Sequence, residues 1–501
     1  ENPGQIALVD DFGETSWSDF NGRVNQLVHA LRSKGLRTGD AFAVVSGNRR
    51  EYFEAFAAAA HGGWLLVPVN WHLVAKEVAY ILADSGSKAL LVDSRFIELA
   101  EATMLQTERP NLEAVVIMGK EASVFADETE QAIAYEDFLS EQSSAEPGDQ
   151  LLGGPMFYTS GTTGHPKGVK SGLSQTGAPV EMLKMIGDGI SAMLGITPGG
   201  KSLLVGPVYH SAQWAFSFLP LLAGTSVVMR HRFDGEEVLK LVDKYQITNI
   251  HLVPTQFTRM LRLSDDIRKS FNGSSLTAVW HGAAPCPPQI KRQMIEWWGP
   301  VINEYYGSTE GSIVTTVSAE DWLSRPGTLG KPVPIMEILV IKEDGSRASA
   351  GESGTLYVKN LMGSDFEYHN APEKTSDAHL EPGVFTFGDV GYLDEDGYLF
   401  MSDRKIDMII SGGVNIYPAE IEGTLIDHPA VLDAAVFGVP NEEFGEEVKA
   451  AVELAEGIQA SEQLTEDLMS HCREQLAGFK VPRSVDYEDQ LPRHPTGKLL
   501  K

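Results

Sequence analysis

The sequence predicts an α/β protein, and three observations predict it. Amphipathic helical stripes and short apolar strands alternate along most of the chain, the pattern of a mostly parallel sheet with helices on its faces. Hydrophobic residues make up 43% of the sequence and charged residues 22%, which is ordinary for a soluble globular chain and excludes a disordered or fibrous one. The 501 residues allow several folding units at roughly 100 to 200 residues each.

The elements follow in order. Phe20, Val24, Leu27, Val28 and Leu31 recur at helical spacing between Ser18 and Lys34, with Gly35 as the stop. A strand is expected at 41–45, an Ala-rich helix at 51–61, and a strand at 64–67 that Pro68 should end. Residues 119–150 are rich in Glu, Asp, Ala and Ser with weak periodicity, and no element is assigned there. A second α/β unit follows, with a helix at 238–245, a buried strand at 247–253 and a helix from Pro254 to Leu263. Short strands broken by Gly, Pro, Asn and Asp between 330 and 399 suit a small β-rich module. Beyond Arg404 comes an α+β pattern: strands near 434–439 and 448–452, and a helix carrying Leu464, Leu468, Cys472 and Leu476. The expected organisation is a large N-terminal domain at 1–403, made of two α/β subdomains and the β-rich module, and a C-terminal α+β lid domain at 404–501.

Composition excludes several functions. Forty Lys and Arg stand against 69 Asp and Glu, a net charge of −29 that repels a nucleic acid backbone. Two cysteines without metal-ligand spacing argue against a disulfide scaffold or a structural zinc. Cys472 lies on an apolar stripe and Cys286 has no neighbouring base, so neither is a candidate nucleophile. No run approaches a membrane span, no signal region opens the chain, and a cytoplasmic protein with trimmed ends is expected.

The same negative field repels ATP, so a polyanion site must concentrate donors and cations locally. Tyr158-Thr159-Ser160-Gly161-Thr162-Thr163-Gly164-His165-Pro166-Lys167-Gly168 does so, with four Ser and Thr hydroxyls, three glycines and one lysine in eleven residues. The P-loop pattern of NTPases fails here: Pro166 stands where its second Gly belongs, and Gly168 where Ser or Thr would bind magnesium.

This string resembles the phosphate-binding signature of the adenylate-forming superfamily, which includes acyl-CoA synthetases, luciferases and peptide-synthetase adenylation domains. Three further motifs match in family order. They are Asn303 to Gly311 (NEYYGSTEG), Gly388-Asp389-Val390-Gly391-Tyr392 with the stretch from Ser402 to Glu422, and Leu491 to Lys498 (LPRHPTGK). The resemblance implies that Thr159, Ser160, Gly161, Thr162, Thr163, Gly164 and Lys167 hold the β- and γ-phosphates. It makes Glu310 the magnesium ligand and Thr309 a contact to the α-phosphate. Asp389 takes the ribose hydroxyls, Gly282-Ala283-Ala284-Pro285 lies along the adenine, and Tyr305, Tyr306 and Gly307 belong to the nucleotide site, with Tyr306 stacking on the base.

The chemistry implied has two halves. A carboxylate attacks the α-phosphorus of ATP and releases pyrophosphate; a thiol then attacks the acyl-adenylate. Lys498 matches the lysine that bridges carboxylate and α-phosphate. Arg404 matches the arginine at the domain junction, after which the lid pivots, and Gly412 and Gly413 line the tunnel for the pantetheine arm. The polar hinge residue usual two places after Arg404 is here Ile406, preceded by Lys405. Tyr209 and His210 match the segment bordering the acyl pocket, with His210 a gate or a packed imidazole, and Gln213-Trp214 add bulk there. The wording resembles bacterial synthetases for fatty, bile-acid-like or other bulky alicyclic acids. ATP, Mg2+ and coenzyme A are the expected cofactors. The expected partners are a carboxylic acid and coenzyme A, with no nucleic acid and a homodimer as one possible assembly. Alternatives are a scaffold that runs mainly the thioester half-reaction or loads a carrier protein, an adenylate-dependent oxygenase, and a non-catalytic nucleotide sensor.

Overall fold

The computed structural model describes residues 2–106, 112–119, 132–159, 166–404, 409–411, 414–441, 444–493 and 499. Among these, one sheet is parallel throughout and runs in the order Ala132–Ala134, Ala114–Met118, Ser87–Asp93, Ala41–Val45, Leu65–Val69, Gly154–Pro155. Its central strand is buried residue by residue, with Phe42 and Val44 in one apolar core and Ala41, Ala43 and Val45 in another. A strand covered on both faces therefore reads as a continuous apolar run. The helix Trp17–Ser33 packs its stripe into the first of these cores. Ser16 caps it by accepting the Asp19 N–H at 3.1 Å, and Gly35 leaves it with φ +87°.

Two expectations are corrected here. Leu65–Val69 runs through Pro68, which pairs with Val44 on one side, while the neighbour on the other side, Gly154–Pro155, reaches only to Leu66. The missing N–H of Pro68 thus faces a locally open edge. The stretch left without elements contains the strand Ala132–Ala134 and the helix Tyr135–Ser140. Six residues are too few to display a helical period, yet Tyr135, Phe138 and Leu139 are buried and the Tyr135 hydroxyl donates to Glu54 at 2.7 Å.

The second sheet runs Lys331–Pro332, Ser312–Val317, Ile302–Ser308, Ala278–His281, Asn249–Leu252, Lys201–Leu204, Ser226–Met229, Ile6–Asp10, Gly13–Ser16, parallel at its centre and antiparallel at both ends. The first strand of the chain therefore belongs to the second sheet, Leu8 lying beside Val227. The β-rich module is antiparallel: Met336–Ile341, Gly354–Asn360, Val384–Leu393 and His379–Glu381, with Leu399–Arg404 on Val384–Leu393. From Ile409–Ser411 onward the strands form another sheet, with helices Pro418–Ile426 and Glu462–Gln475 and a core of their own that includes Ile416, Leu425, Val452, Leu468 and Cys472. Burial pushes the Cys472 thiol up to about 11 and raises that of Cys286 as well, in keeping with two inert thiols. No described helix is long and apolar enough to cross a membrane.

One buried charge pair anchors the strand that leads into the central motif. The Lys291 ammonium, fully buried, donates to Glu304 Oε2 at 2.6 Å and stands 4.8 Å from the centre of the Trp322 ring. Burial raises the Glu304 carboxyl and drives the adjacent His281 well below its ordinary value, so that imidazole is neutral. Removing one partner leaves an uncompensated buried charge. Lys291→Met is expected to lower stability by about 3–5 kcal/mol, with most of it restored in Lys291→Met/Glu304→Leu, as read from urea midpoints of the three proteins.

Candidate active site

The strands Phe157–Thr159 and Lys167–Lys170 pair antiparallel with Thr159 opposite Lys167 and Tyr158 opposite Gly168, so the two ends of the hydroxyl-rich segment are held together. The anchors are polar. The Tyr158 hydroxyl donates to Asp84 Oδ2 at 2.6 Å, the Gly168 carbonyl accepts the His369 N–H at 2.8 Å, and His369 Nε2 lies 2.9 Å from the Asp84 carbonyl. Space at Gly168 is tight: a Cβ there would sit 3.0 Å from the Tyr158 ring and 3.2 Å from His369 Cβ. Ser160, Gly161, Thr162, Thr163 and Gly164 lie outside the described residues.

Glu310 is presented at the turn between Ile302–Ser308 and Ser312–Val317. The Ser308 hydroxyl accepts the N–H groups of Glu310 and Gly311, both at 3.1 Å, and Ser312 takes a left-handed φ of 61°. A Cβ at Gly307 would stand 2.0 Å from the Ser312 carbonyl oxygen, so this turn closes only on glycine. The Tyr368 hydroxyl donates to Glu310 Oε1 at 3.0 Å, and the Lys167 ammonium stands 4.8 Å from the centre of the same ring. Burial and the Glu310 charge raise the Tyr368 phenol, which stays protonated and donating. Burial and the neighbouring Lys374 lower Lys167, against the pull of Glu310. The Thr309 and Ser211 hydroxyls are 2.8 Å apart, joining this turn to the helix Ser211–Ala215.

The residues assigned to the nucleoside gather beside it. Tyr306 donates its hydroxyl to Asp389 Oδ2 at 2.7 Å, and both are buried. Asp389 pairs in register with Arg404 of the adjoining strand. Gly282 to Pro285 leave the C-terminal end of the strand Ala278–His281, with Ala283 exposed at φ 65° and Pro285 exposed. A Cβ at Gly282 would lie 2.6 Å from the Tyr305 ring, so the two are in close contact. Tyr305 is held from behind: its hydroxyl is 3.1 Å from His251 Nε2, and His251 Nδ1 is 2.9 Å from Gln213 Nε2. Burial pushes His251 down to about 3, so it is neutral, accepting from Gln213 and donating to Tyr305. Gln213, expected at the acyl pocket, also supports Tyr305 through His251; a Cβ at Gly206 would stand 2.2 Å from its amide nitrogen.

Tyr209 and His210 lie side by side with ring centres 4.5 Å apart, just before Ser211–Ala215. Trp214 is buried, stacked on Phe218 at 5.7 Å and close to Phe157 at 5.6 Å and Phe56 at 6.1 Å. It is one wall of a cavity of about 20 Å³ that Leu173, Leu183, Ile186, Phe218 and Leu222 also line, room for roughly one water. Lys405, Ile406, Gly412, Gly413 and Lys498 lie outside the described residues, and for Arg404 only the backbone is described. Among the described residues no group of three or more His, Cys, Asp or Glu side chains is placed to hold a metal ion.

Several site residues escape sequence reasoning. Tyr368 sits in a two-residue strand, Glu367–Tyr368, and carries no spacing signal; its role appears only when that strand pairs with Lys167–Lys170. His251 reads as one polar residue in a buried strand, and Ser211 as a helix start.

Comparison with known proteins accords with this geometry. Residues 1–362 match the model of the AMP-binding enzyme family and 420–498 that of the AMP-binding enzyme C-terminal domain. The 3-[(3aS,4S,7aS)-7a-methyl-1,5-dioxo-octahydro-1H-inden-4-yl]propanoyl:CoA ligase of Rhodococcus jostii is 33% identical over 99% of this chain and 94% of its own length. The 2-succinylbenzoate–CoA ligase of Bacillus subtilis is 30% identical over 100% of this chain and 94% of its own. A solved anthranilate CoA ligase, in complex with anthranoyl-AMP, superimposes with a TM-score of 0.88 at 26% identity, covering 99% of this chain and 93% of that one. The large mixed α/β body and the small C-terminal unit are the architecture of adenylate-forming enzymes. With both family models matched in order, this chain belongs to the AMP-binding enzyme family.

Proposed function

We propose that the residues gathered here divide the work of an acyl-CoA synthetase. The chain is an AMP-forming acid–thiol ligase: it activates a carboxylic acid with ATP to an acyl-adenylate and transfers the acyl group to coenzyme A. A carboxylate oxygen bonds to the α-phosphorus as the bond to the leaving pyrophosphate breaks. The thiol sulfur then bonds to the acyl carbon, AMP departs and the thiol proton is lost. Such a reaction needs placement and charge neutralisation more than covalent help from the protein.

The observation that supports the division of roles is the linkage of Lys167, Tyr368 and Glu310, next to Thr309 in the chain, together with the hydrogen bond from Tyr306 to Asp389. In this reading Thr159, Lys167 and the residues 160–164 between them hold the triphosphate tail, and Thr309 meets the α-phosphate. Asp389 receives the ribose hydroxyls, with Tyr306 beside the base and the Gly282–Pro285 segment along it. Glu310 suits a magnesium ion, because one carboxylate with phosphate oxygens is an ordinary donor set for it and Tyr368 engages only Oε1. When bound, the ion neutralises phosphate charge. Lys498 bridges carboxylate and α-phosphate, and the C-terminal domain 404–501 turns after Arg404 against 1–403, so that Lys498 leaves and Gly412 and Gly413 admit the pantetheine arm.

The acid is a bulky alicyclic one in this proposal, held near Tyr209, His210 and the outer face of Trp214. The Rhodococcus jostii relative acts on an octahydroindene propanoate, and the stacked Trp214 leaves little room behind it for a long tail.

With such an acid and ATP, pyrophosphate release is expected, with thioester appearing once coenzyme A is added. Lys498→Ala should slow release by about 10²–10³-fold while thioester formation from synthetic acyl-adenylate persists; unchanged release would defeat the role given to Lys498. Trp214→Ala should join the cavity behind it to the pocket and raise kcat/KM for fatty acids of twelve or more carbons by about tenfold, a gain of roughly 1.4 kcal/mol in transition-state binding. A steady-state comparison of chain lengths in wild type and variant checks this.

A further inference from the structure

An open cavity of about 450 Å³ lies beside Lys167, and Lys167, Lys374, Tyr80, Asp84, His369 and Asn370 are among its walls. Pockets of that size take whole small ligands. Two ammonium groups face it in a chain of net charge −29. Among the described residues neither forms an ion pair, whereas Lys170, Lys184 and Lys240 each pair with a carboxylate. Their mutual repulsion helps to lower Lys167.

Glu310 offsets this repulsion only in part, and Lys167 stays lowered. Asp84 is occupied, taking the Tyr158 hydroxyl on Oδ2 at 2.6 Å and the Asn370 amide on Oδ1 at 3.3 Å, while Glu373 is exposed. Lys374 is also held in place. It lies in the helix Pro372–Ala378, whose Thr375 hydroxyl accepts the Tyr368 N–H at 2.9 Å and donates to the Ala371 carbonyl at 3.1 Å. Tyr368 in turn holds Glu310, so the helix that carries Lys374 is joined to the turn that presents Glu310.

We propose that Lys374 and Lys167 together form an exit site for magnesium pyrophosphate, in which the departing diphosphate bridges the two ammonium groups before it reaches solvent. This deepens the proposed function and rests on its placement of the triphosphate tail at Lys167. A dianionic or more highly charged bridge removes the lysine–lysine repulsion, which a monoanion does only in part. AMP, which keeps only the α-phosphate, does not reach the second lysine.

The test is calorimetric titration of the full chain with magnesium pyrophosphate and, separately, with AMP. Lys374→Met should raise the pyrophosphate Kd by about fivefold, the size expected of one partly exposed charge, with Lys374→Arg close to wild type and the AMP Kd shifted by less than about twofold. A Lys374→Met protein that binds pyrophosphate as wild type does, or loses AMP equally, would overturn the exit site, while weakened binding in Lys167→Met would leave the phosphate reading standing. Wild type and Lys167→Met showing the same negligible pyrophosphate affinity would overturn both.

Discussion

The phenol of Tyr368 separates a cation from an anion, and the charge arrangement of the site depends on it. Its ring lies under the Lys167 ammonium and its hydroxyl reaches Glu310. A direct ion pair between Lys167 and Glu310 would satisfy both and leave neither for a phosphate or its counter-ion. With the ring between them, each is oriented by a neutral group that stays protonated, and each retains capacity for a ligand. In the function proposed, local separation of charge of this kind lets a strongly acidic chain accommodate a triphosphate.

Behind this front the protein is stiffened by polar contacts whose partners are all buried. Gln213, His251 and Tyr305 form a chain that ends against Gly282, and Lys291 with Glu304 anchors the preceding residue of the same strand. Buried polar groups of this kind cost energy when left unmatched, so they fix a single geometry for the turn at Glu310. The left-handed φ of Ala283 belongs to the same picture: a non-glycine residue is held in a sparsely populated conformation where the Gly282–Pro285 segment leaves its strand.

Local chemistry was readable from the sequence, and contacts across the fold were not. The helix Trp17–Ser33 and the buried strand Ala41–Val45 carry their periodicity in a few consecutive residues, and the phosphate and Tyr305–Gly311 motifs carry their residue types in one contiguous string. The pairing of Ile6–Asp10 with Ser226–Met229 joins residues more than two hundred positions apart and leaves no mark on either segment. Pro68 was misread because the rule that proline ends a strand presumes a partner on both sides, and here one side is open. For Gln213 only its bulk was visible, because its hydrogen bond to His251 depends on a strand 38 residues away.

The pairing of Asp389 with Arg404 has a mechanical meaning. The last strand before the C-terminal unit is hydrogen-bonded to the strand that carries the carboxylate assigned to the sugar, so the chain leaves the large body from a clamped point instead of a slack tether. In the function proposed, any turn of the small unit starts one ladder step from the residue given to the sugar, so its starting point is set by the sheet.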